Sequence, residues 1–179
     1  MQMAVKPLIL LPPAIFAALA GLFLGGMLRE DPDALPSTME GQPAPAVSLT
    51  ELQGPVVTDD TLREPGVKLV NFWASWCTPC RAEHPILMEI SETVPVYGIN
   101  YKDDASNALG FLDELGNPYA GLGADATGRV GIDWGVYGVP ETYVIDGEGI
   151  IRLRFAGPIT QDIYEKRILP AIEAARAGG

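Results

Sequence analysis

Positive charge is scarce in this chain. Its 179 residues hold 12 lysines and arginines against 23 aspartates and glutamates. Lys6 and Arg29 are the only charged side chains in residues 1–29, so residues 30–179 carry a net charge of −13. That balance argues against nucleic acid as a partner, because phosphate binding is driven by Lys and Arg. The acidity itself is the ordinary solvated surface of a soluble domain. Internal repeats and low-complexity tracts are absent. Cysteine is almost absent too: Cys77 and Cys80 are the only two. No further cysteine is left to act as a peroxidatic thiol. A zinc site built on Cys77, Cys80 and His84 lacks an evident fourth ligand, so His84 reads as a helix-surface or packing residue.

Charge is missing altogether from residues 8–28, LILLPPAIFAALAGLFLGGML. At 1.5 Å per residue, about 20 residues suffice to cross a bilayer core. The expected organisation is a cytoplasmic stretch over 1–7, a transmembrane anchor over 8–28, a tether over 29–39 and one folded domain over 40–179. Lys6 before the apolar run and Arg29-Glu30-Asp31-Pro32-Asp33 after it place the amino terminus in the cytoplasm by the positive-inside tendency. A cleaved signal peptide is the competing reading. The run is long for an h-region, and Gly25-Gly26-Met27 is a poor small-x-small cleavage site. Pro12 and Pro13 would disturb a soluble helix but are better tolerated in a membrane.

From Glu30 to Pro45 the chain is rich in Pro, Gly, Asp and Ser without a hydrophobic period, as a tether is. Val67–Ala74 (VKLVNFWA) is a nearly continuous run of β-formers, the pattern of a central strand buried on both faces. Helical spacing of Ile86, Leu87 and Ile90 predicts a helix from Pro79 to about Ile90. Strands are expected at Val94–Asn100, Thr142–Asp146 and Ile150–Phe155, the last two forming a hairpin around Gly147-Glu148-Gly149. Helices are expected at Ser106–Leu115 and Gln161–Ala175. This order predicts an α/β domain with a mixed sheet flanked by helices.

Trp76-Cys77-Thr78-Pro79-Cys80 falls between a buried strand and a helix start. A thiolate at a helix amino terminus is stabilised by the dipole and by unpaired N–H groups, which makes Cys77 the nucleophile. Cys80, one turn further in, is placed to attack the mixed disulfide that Cys77 would form. Pro79 in the first turn costs no hydrogen bond. A structural disulfide would close too short a loop to stabilise much. Trp73 reads as a core aromatic and Trp76 as an aromatic on the rim of the site.

Asn71–Arg81 (NFWASWCTPCR) resembles the active-site segment of the thioredoxin superfamily. Cys80–Pro85 (CRAEHP) narrows the resemblance to membrane-tethered reductants of extracytoplasmic proteins. Tyr97–Asp103 (YGINYKD), Asp125–Arg129 (DATGR) and Asp133–Thr142 (DWGVYGVPET) are similar to the CcmG/DsbE family of cytochrome c maturation. The resemblance spans the anchor and essentially all of 40–175. It implies a thioredoxin-like fold, with Pro140 after Val139 as the cis-proline facing the cysteines. A proline just before a strand is also where an X–Pro cis bond is plausible on local grounds. Many thioredoxins carry a buried Asp where this chain has Asn71, which cannot titrate, so another base is expected. Glu83 lies three residues beyond Cys80 on one helix face, and Glu141 follows Pro140 directly. A desolvated carboxylate at either position could take the proton of Cys80.

The resemblance further implies an inner-membrane, single-pass protein with its domain on the periplasmic side and no bound cofactor beyond the Cys77–Cys80 disulfide. It would reduce disulfides in apocytochrome c, or in a CxxC-bearing maturation partner, to allow haem attachment. A membrane thiol donor of the DsbD or CcdA type would re-reduce it. Two other readings stay open: a general reductant of the TlpA or ResA type, and a non-enzymatic scaffold that docks apocytochrome or haem.

Overall fold

The computed structural model describes residues 7–27 and 37–178, with side chains over 11–26 and 37–178. Two compact units result, one on either side of the Pro36–Ser37 junction. In the first, α1 (Pro7–Met27) is a 21-residue helix with Pro12 and Pro13 inside it and no charged side chain. Among the described residues no helix is long and apolar enough to cross a membrane. The fully described part of α1, residues 11–26, reaches roughly 24 Å at 1.5 Å per residue, short of a bilayer core. The span expected over 8–28 is therefore not established by the fold. Lys6, Arg29 and residues 29–36 of the expected tether lie outside the described residues.

In the second unit the elements follow as β1 (Thr50–Glu51), α2 (Asp59–Leu62), β2 (Lys68–Trp73), α3 (Thr78–Ser91) and β3 (Val96–Tyr101). After them come α4 (Ala105–Leu115), β4 (Tyr119–Asp125), α5 (Arg129–Asp133), β5 (Glu141–Ile145) and β6 (Ile151–Ala156). A helical segment closes the chain. The six strands form one mixed sheet in the order β1-β4-β3-β2-β5-β6. β2, β3 and β4 pair in parallel, while β1, β5 and β6 join antiparallel. Every residue of β2 is buried, as its unbroken apolar run predicts. Its one charged residue, Lys68, gives its ammonium to the carbonyls of Glu64, Gly66 and Asp146 at 2.7, 2.8 and 3.1 Å. Burial lowers the pKa of that amine, against the carboxylates of Asp146 and Glu64.

Alternate residues of the central strands feed two cores. Leu69, Trp73 and Val144 pack with Leu87 and Ile90 of α3, Phe111 of α4 and the closing helix. Val70, Phe72 and Tyr143 pack on the opposite face with Leu62, Val130 and Trp134. This alternation decides on which side of the sheet Glu141 lies.

Two expectations needed correction. Residues 119–125 gave no strand signal, yet β4 is a central parallel strand. Its sequence, YAGLGAD, holds two glycines and two alanines, and neighbours occupy the space where larger side chains would stand. A Cβ on Gly123 would lie 2.7 Å from Leu49, and one on Gly121 3.1 Å from Tyr97. The closing helix expected over 161–175 is not regular either. It runs as α6 (Gln161–Ile163), a π-helical turn (Tyr164–Ile168) and α7 (Leu169–Ala177). Pro170 lacks an N–H and crowds the carbonyl four residues back, and a widened turn relieves both. The Leu169 N–H accordingly reaches back to the Tyr164 carbonyl.

Candidate active site

β2 ends at Trp73 and α3 starts at Thr78, so the intervening loop delivers Cys77 to a helix amino terminus. Cys77 is the N-cap itself, with extended φ −88° and ψ 103°. Its Sγ accepts the Cys80 N–H at 3.1 Å. Sulfur here occupies the place that a Ser or Asp oxygen usually fills. Pro79 sits in the first turn, where no intrahelical donor is lost. Cys77 and Cys80 are joined as a disulfide with their Cα atoms 5.3 Å apart. Both are almost fully buried, whereas Thr78 and Pro79 are exposed.

The loop before Cys77 is latched to the segment after β3. Asp103 accepts the Ser75 N–H at 2.6 Å, the Ser75 hydroxyl at 2.8 Å and the Asn100 amide at 2.9 Å. The Trp76 indole donates to the Lys102 carbonyl at 3.1 Å while its ring stays 58% exposed. Lys102 itself adopts a left-handed φ of 47°. On the other side, the Val139–Pro140 peptide is cis, and the Val139 carbonyl lies 3.5 Å from Cys77 Sγ. Pro140 is buried and Val139 half-buried. Asp103 and Asn100 escaped the sequence reading because their partners lie 25 or more positions away or across a turn.

One turn along α3 from Cys80, Glu83 belongs to a buried polar cluster. Glu83 is 1% exposed. Its Oε1 accepts the Asn71 amide at 2.9 Å and its Oε2 the Ile159 N–H at 2.9 Å. The Asn71 amide also donates to Thr142 Oγ1 at 3.0 Å, and its Oδ1 accepts the Tyr119 hydroxyl at 2.9 Å. Burial pushes the Glu83 carboxyl up to about 7, although the hydrogen bonds from Ile159 and Asn71 work in the other direction. A buried acid with no cation beside it, titrating near neutrality, is equipped to exchange a proton.

Glu141 is just as buried but belongs to the opposite face, because it pairs across the ladder with Phe72 while Thr142 pairs with Asn71. Arg154 of β6 donates to its Oε2 from Nε and Nη2, both at 2.9 Å. The Tyr137 N–H reaches its Oε1 at 3.0 Å and the Tyr143 hydroxyl its Oε2 at 3.2 Å. Arg154 also stacks over the Tyr137 ring at 5.1 Å. The structure therefore brings Cys77, Cys80, Asn71, Glu83, Val139 and Pro140 together, and sets Glu141 in an ion pair that braces the loop leading to Pro140. His84 is buried, its Nε2 3.0 Å from the Gly116 carbonyl and its ring edge-on to Phe111. Trp73 lies in the core between Phe111 and Tyr119.

A vicinal dithiol at a helix start, a carbonyl beside the outer sulfur and a buried acid on the helix of the inner one make an arrangement for thiol–disulfide exchange. The family model Redoxin matches residues 39–169. A thiol:disulfide interchange protein DsbE homologue of Paracoccus denitrificans is 58% identical over 173 residues, covering 96% of this chain and 97% of its own length. The thiol:disulfide interchange protein HelX of Rhodobacter capsulatus is 47% identical, covering 93% and 96%. A Chlorobium tepidum crystal structure assigned to DsbE superposes with a TM-score of 0.66 at 27% identity, covering 78% of this chain and 99% of that one. The expected thioredoxin-like fold is thereby shown, and the chain belongs to the redoxin family as a thiol:disulfide oxidoreductase of its DsbE/CcmG branch.

Proposed function

We propose that the chain is a membrane-anchored, extracytoplasmic reductant of protein disulfides. The observation that carries the direction of electron flow is the acid on the helix of Cys80. A strong oxidant stabilises its reduced, thiolate form. A buried carboxylate near the dithiol does the reverse, because a negative charge in a low dielectric disfavours a second one. The pair is therefore held toward the disulfide, and the dithiol toward giving up electrons.

The reaction begins when the Cys77 thiolate attacks one sulfur of a partner disulfide. The partner's other sulfur leaves as a thiolate and takes a proton from water. Cys80 then passes its proton to Glu83, and its thiolate attacks Cys77 Sγ. That step releases the partner's second sulfur as a thiolate and closes Cys77–Cys80. Two electrons have moved from this chain to the partner, which ends as a dithiol. Val139 and Pro140 hold the partner's backbone beside Cys77, and Trp76 supplies an exposed apolar face at the rim. No cofactor takes part in these steps.

Apocytochrome c, or a CxxC-bearing maturation partner, is the proposed substrate, and a membrane thiol donor of the DsbD or CcdA type the proposed source of electrons. Supporting this are the motifs shared with the cytochrome c maturation family and the thiol:disulfide interchange relatives. In an oxidising compartment a reductant works only while it is re-reduced, which favours tethering near its donor. The uncharged run over residues 8–28, with Lys6 before it, supports an inner-membrane anchor with the domain on the periplasmic side.

Equilibration of the chain with glutathione or dithiothreitol tests the proposal. A potential well below the roughly −120 mV of a strong oxidant is expected, as is a trapped mixed disulfide with the partner in Cys80→Ala. An oxidising potential would reverse the assigned direction of electron flow.

A further inference from the structure

An amide is symmetric in shape but not in chemistry, so something must decide which end of Asn71 faces Glu83. Three groups contact it. Tyr119 meets Oδ1, while Glu83 and Thr142 meet Nδ2. Thr142 does not decide, since a hydroxyl donates or accepts equally well. An ionised Glu83 decides in one direction only, because a carboxylate accepts and cannot donate. Once the acid takes up a proton it can donate, and that constraint disappears. Tyr119 then remains: among the described residues Asn71 Oδ1 is the one acceptor given for its buried hydroxyl, so its proton goes there and keeps the amide in place. Burial raises the Tyr119 pKa well above its usual value, and the nearby Glu83 carboxyl adds to the shift.

We infer that Tyr119 is a positioning residue for the proton acceptor: acting through Asn71, its hydroxyl fixes the Glu83 carboxylate in the orientation that receives the Cys80 proton. The inference rests on the proposed role of Glu83. Tyr119 is well placed for it. It stands on β4, two strands from Asn71's own β2 in the sheet order, and its ring stacks on Trp73 with centroids 5.6 Å apart. The carbon below it is Gly98, where a Cβ would lie 2.8 Å from the Tyr119 ring. A side chain held on both sides has little freedom to withdraw its hydroxyl. Glu83 is bonded by the Asn71 amide from β2 and the Ile159 N–H before α6, and Tyr119 from β4 is the titratable group that interacts with it.

Removing the hydroxyl alone, in Tyr119→Phe, keeps the ring stack and leaves Asn71 Oδ1 buried without a donor. The amide is then no longer held with Nδ2 toward Glu83, and the weaker donation to the carboxylate favours the protonated acid. In the full chain, the Glu83 carboxyl titration followed by carbon NMR should move upward by about one pH unit in Tyr119→Phe, a tenfold change in proton affinity. The pH profile for oxidation of the reduced chain by oxidised glutathione should move with it. In an Asn71→Ala background the same substitution should have almost no effect, since the link is gone. An unmoved carboxyl titration in Tyr119→Phe, or an equal shift with Asn71 absent, would overturn the inference. Glu83→Gln separates the two claims. If it leaves the oxidation profile unchanged, the proton-acceptor role falls. The carboxyl titration of Tyr119→Phe still tests whether Tyr119 sets the carboxylate's environment.

Discussion

Replacing Glu83 with Gln should change the sign of its effect on stability between acid and alkaline pH. The carboxyl's usual value is 4.5, and burial raises it to about 7 in the folded, disulfide form. Between those two values the folded chain keeps a proton that the unfolded chain has released. Stability therefore falls as pH rises through this window, and the loss is complete above about pH 7. The gap amounts to about 3 kcal/mol of ionisation cost. Gln is neutral throughout and removes that slope. It also offers one acceptor oxygen to a pocket that presents two N–H donors, from Asn71 and Ile159, at a cost of about 1–2 kcal/mol. At pH 5 the window has already cost the native chain about 1 kcal/mol, so the variant should be the less stable protein by about 1 kcal/mol or less. At pH 8 it should be the more stable by about 1–2 kcal/mol, the difference of the two terms. Urea unfolding of the oxidised chain at both pH values reads this directly. A stability difference of the same sign and size at pH 5 and pH 8 would refute the claim that ionised Glu83 is disfavoured by the fold.

Arg154→Leu should be among the costlier single changes, at about 3–5 kcal/mol, because it strands the buried Glu141 carboxylate. The double variant Arg154→Leu/Glu141→Leu should recover much of that loss in thermal melts, and no recovery would mean that the pair is not what the site depends on. Gly98→Ala should lower stability by about 1–3 kcal/mol, since its Cβ would lie 2.8 Å from both Tyr119 and Leu122. A melt unchanged from the native chain would contradict that packing. Asp103→Ala should release the Cys77 loop, seen as faster amide hydrogen exchange at Ser75 with the sheet amides unaffected. Unaltered exchange would show that Ser75 is held by other contacts.

Strand β2 and helix α3 were legible because their patterns are local: an unbroken β-forming run, then a cysteine at a helix start with proline in the first turn. The hairpin of β5 and β6 was legible for a similar reason, with two glycines within three residues between two alternating runs. β4 was not, because its glycines answer to Leu49 and Tyr97, neighbours that only the assembled sheet supplies. The π turn did leave a signal, since Pro170 falls inside an otherwise helical pattern. In the site, the cysteines, Pro140 and both acids could be named from sequence. What could not be read was the face of the sheet Glu141 occupies, because that depends on the register of Thr142 against Asn71. Tyr119 and Arg154 were missed because each meets its partner only in the assembled sheet, Tyr119 reaching Asn71 across β3 and Arg154 reaching Glu141 from the neighbouring β6.

The exchange of a buried aspartate for Asn71 gains its meaning from that register. An acid on β2 would be fixed to the sheet, whereas Glu83 is fixed to the helix that carries Cys80, so the two side chains share one rigid element. Asn71 then serves as a hydrogen-bond donor to the acid. The second acid, one residue past Pro140, meets a guanidinium on the other side of the sheet and becomes a brace for the loop that carries Val139. Two carboxylates equally buried are thus separated in role by the presence or absence of a cation. The one without it lies on the helix of Cys80, and its carboxyl, pushed up to about 7 by burial, is the one proposed to take the proton during exchange.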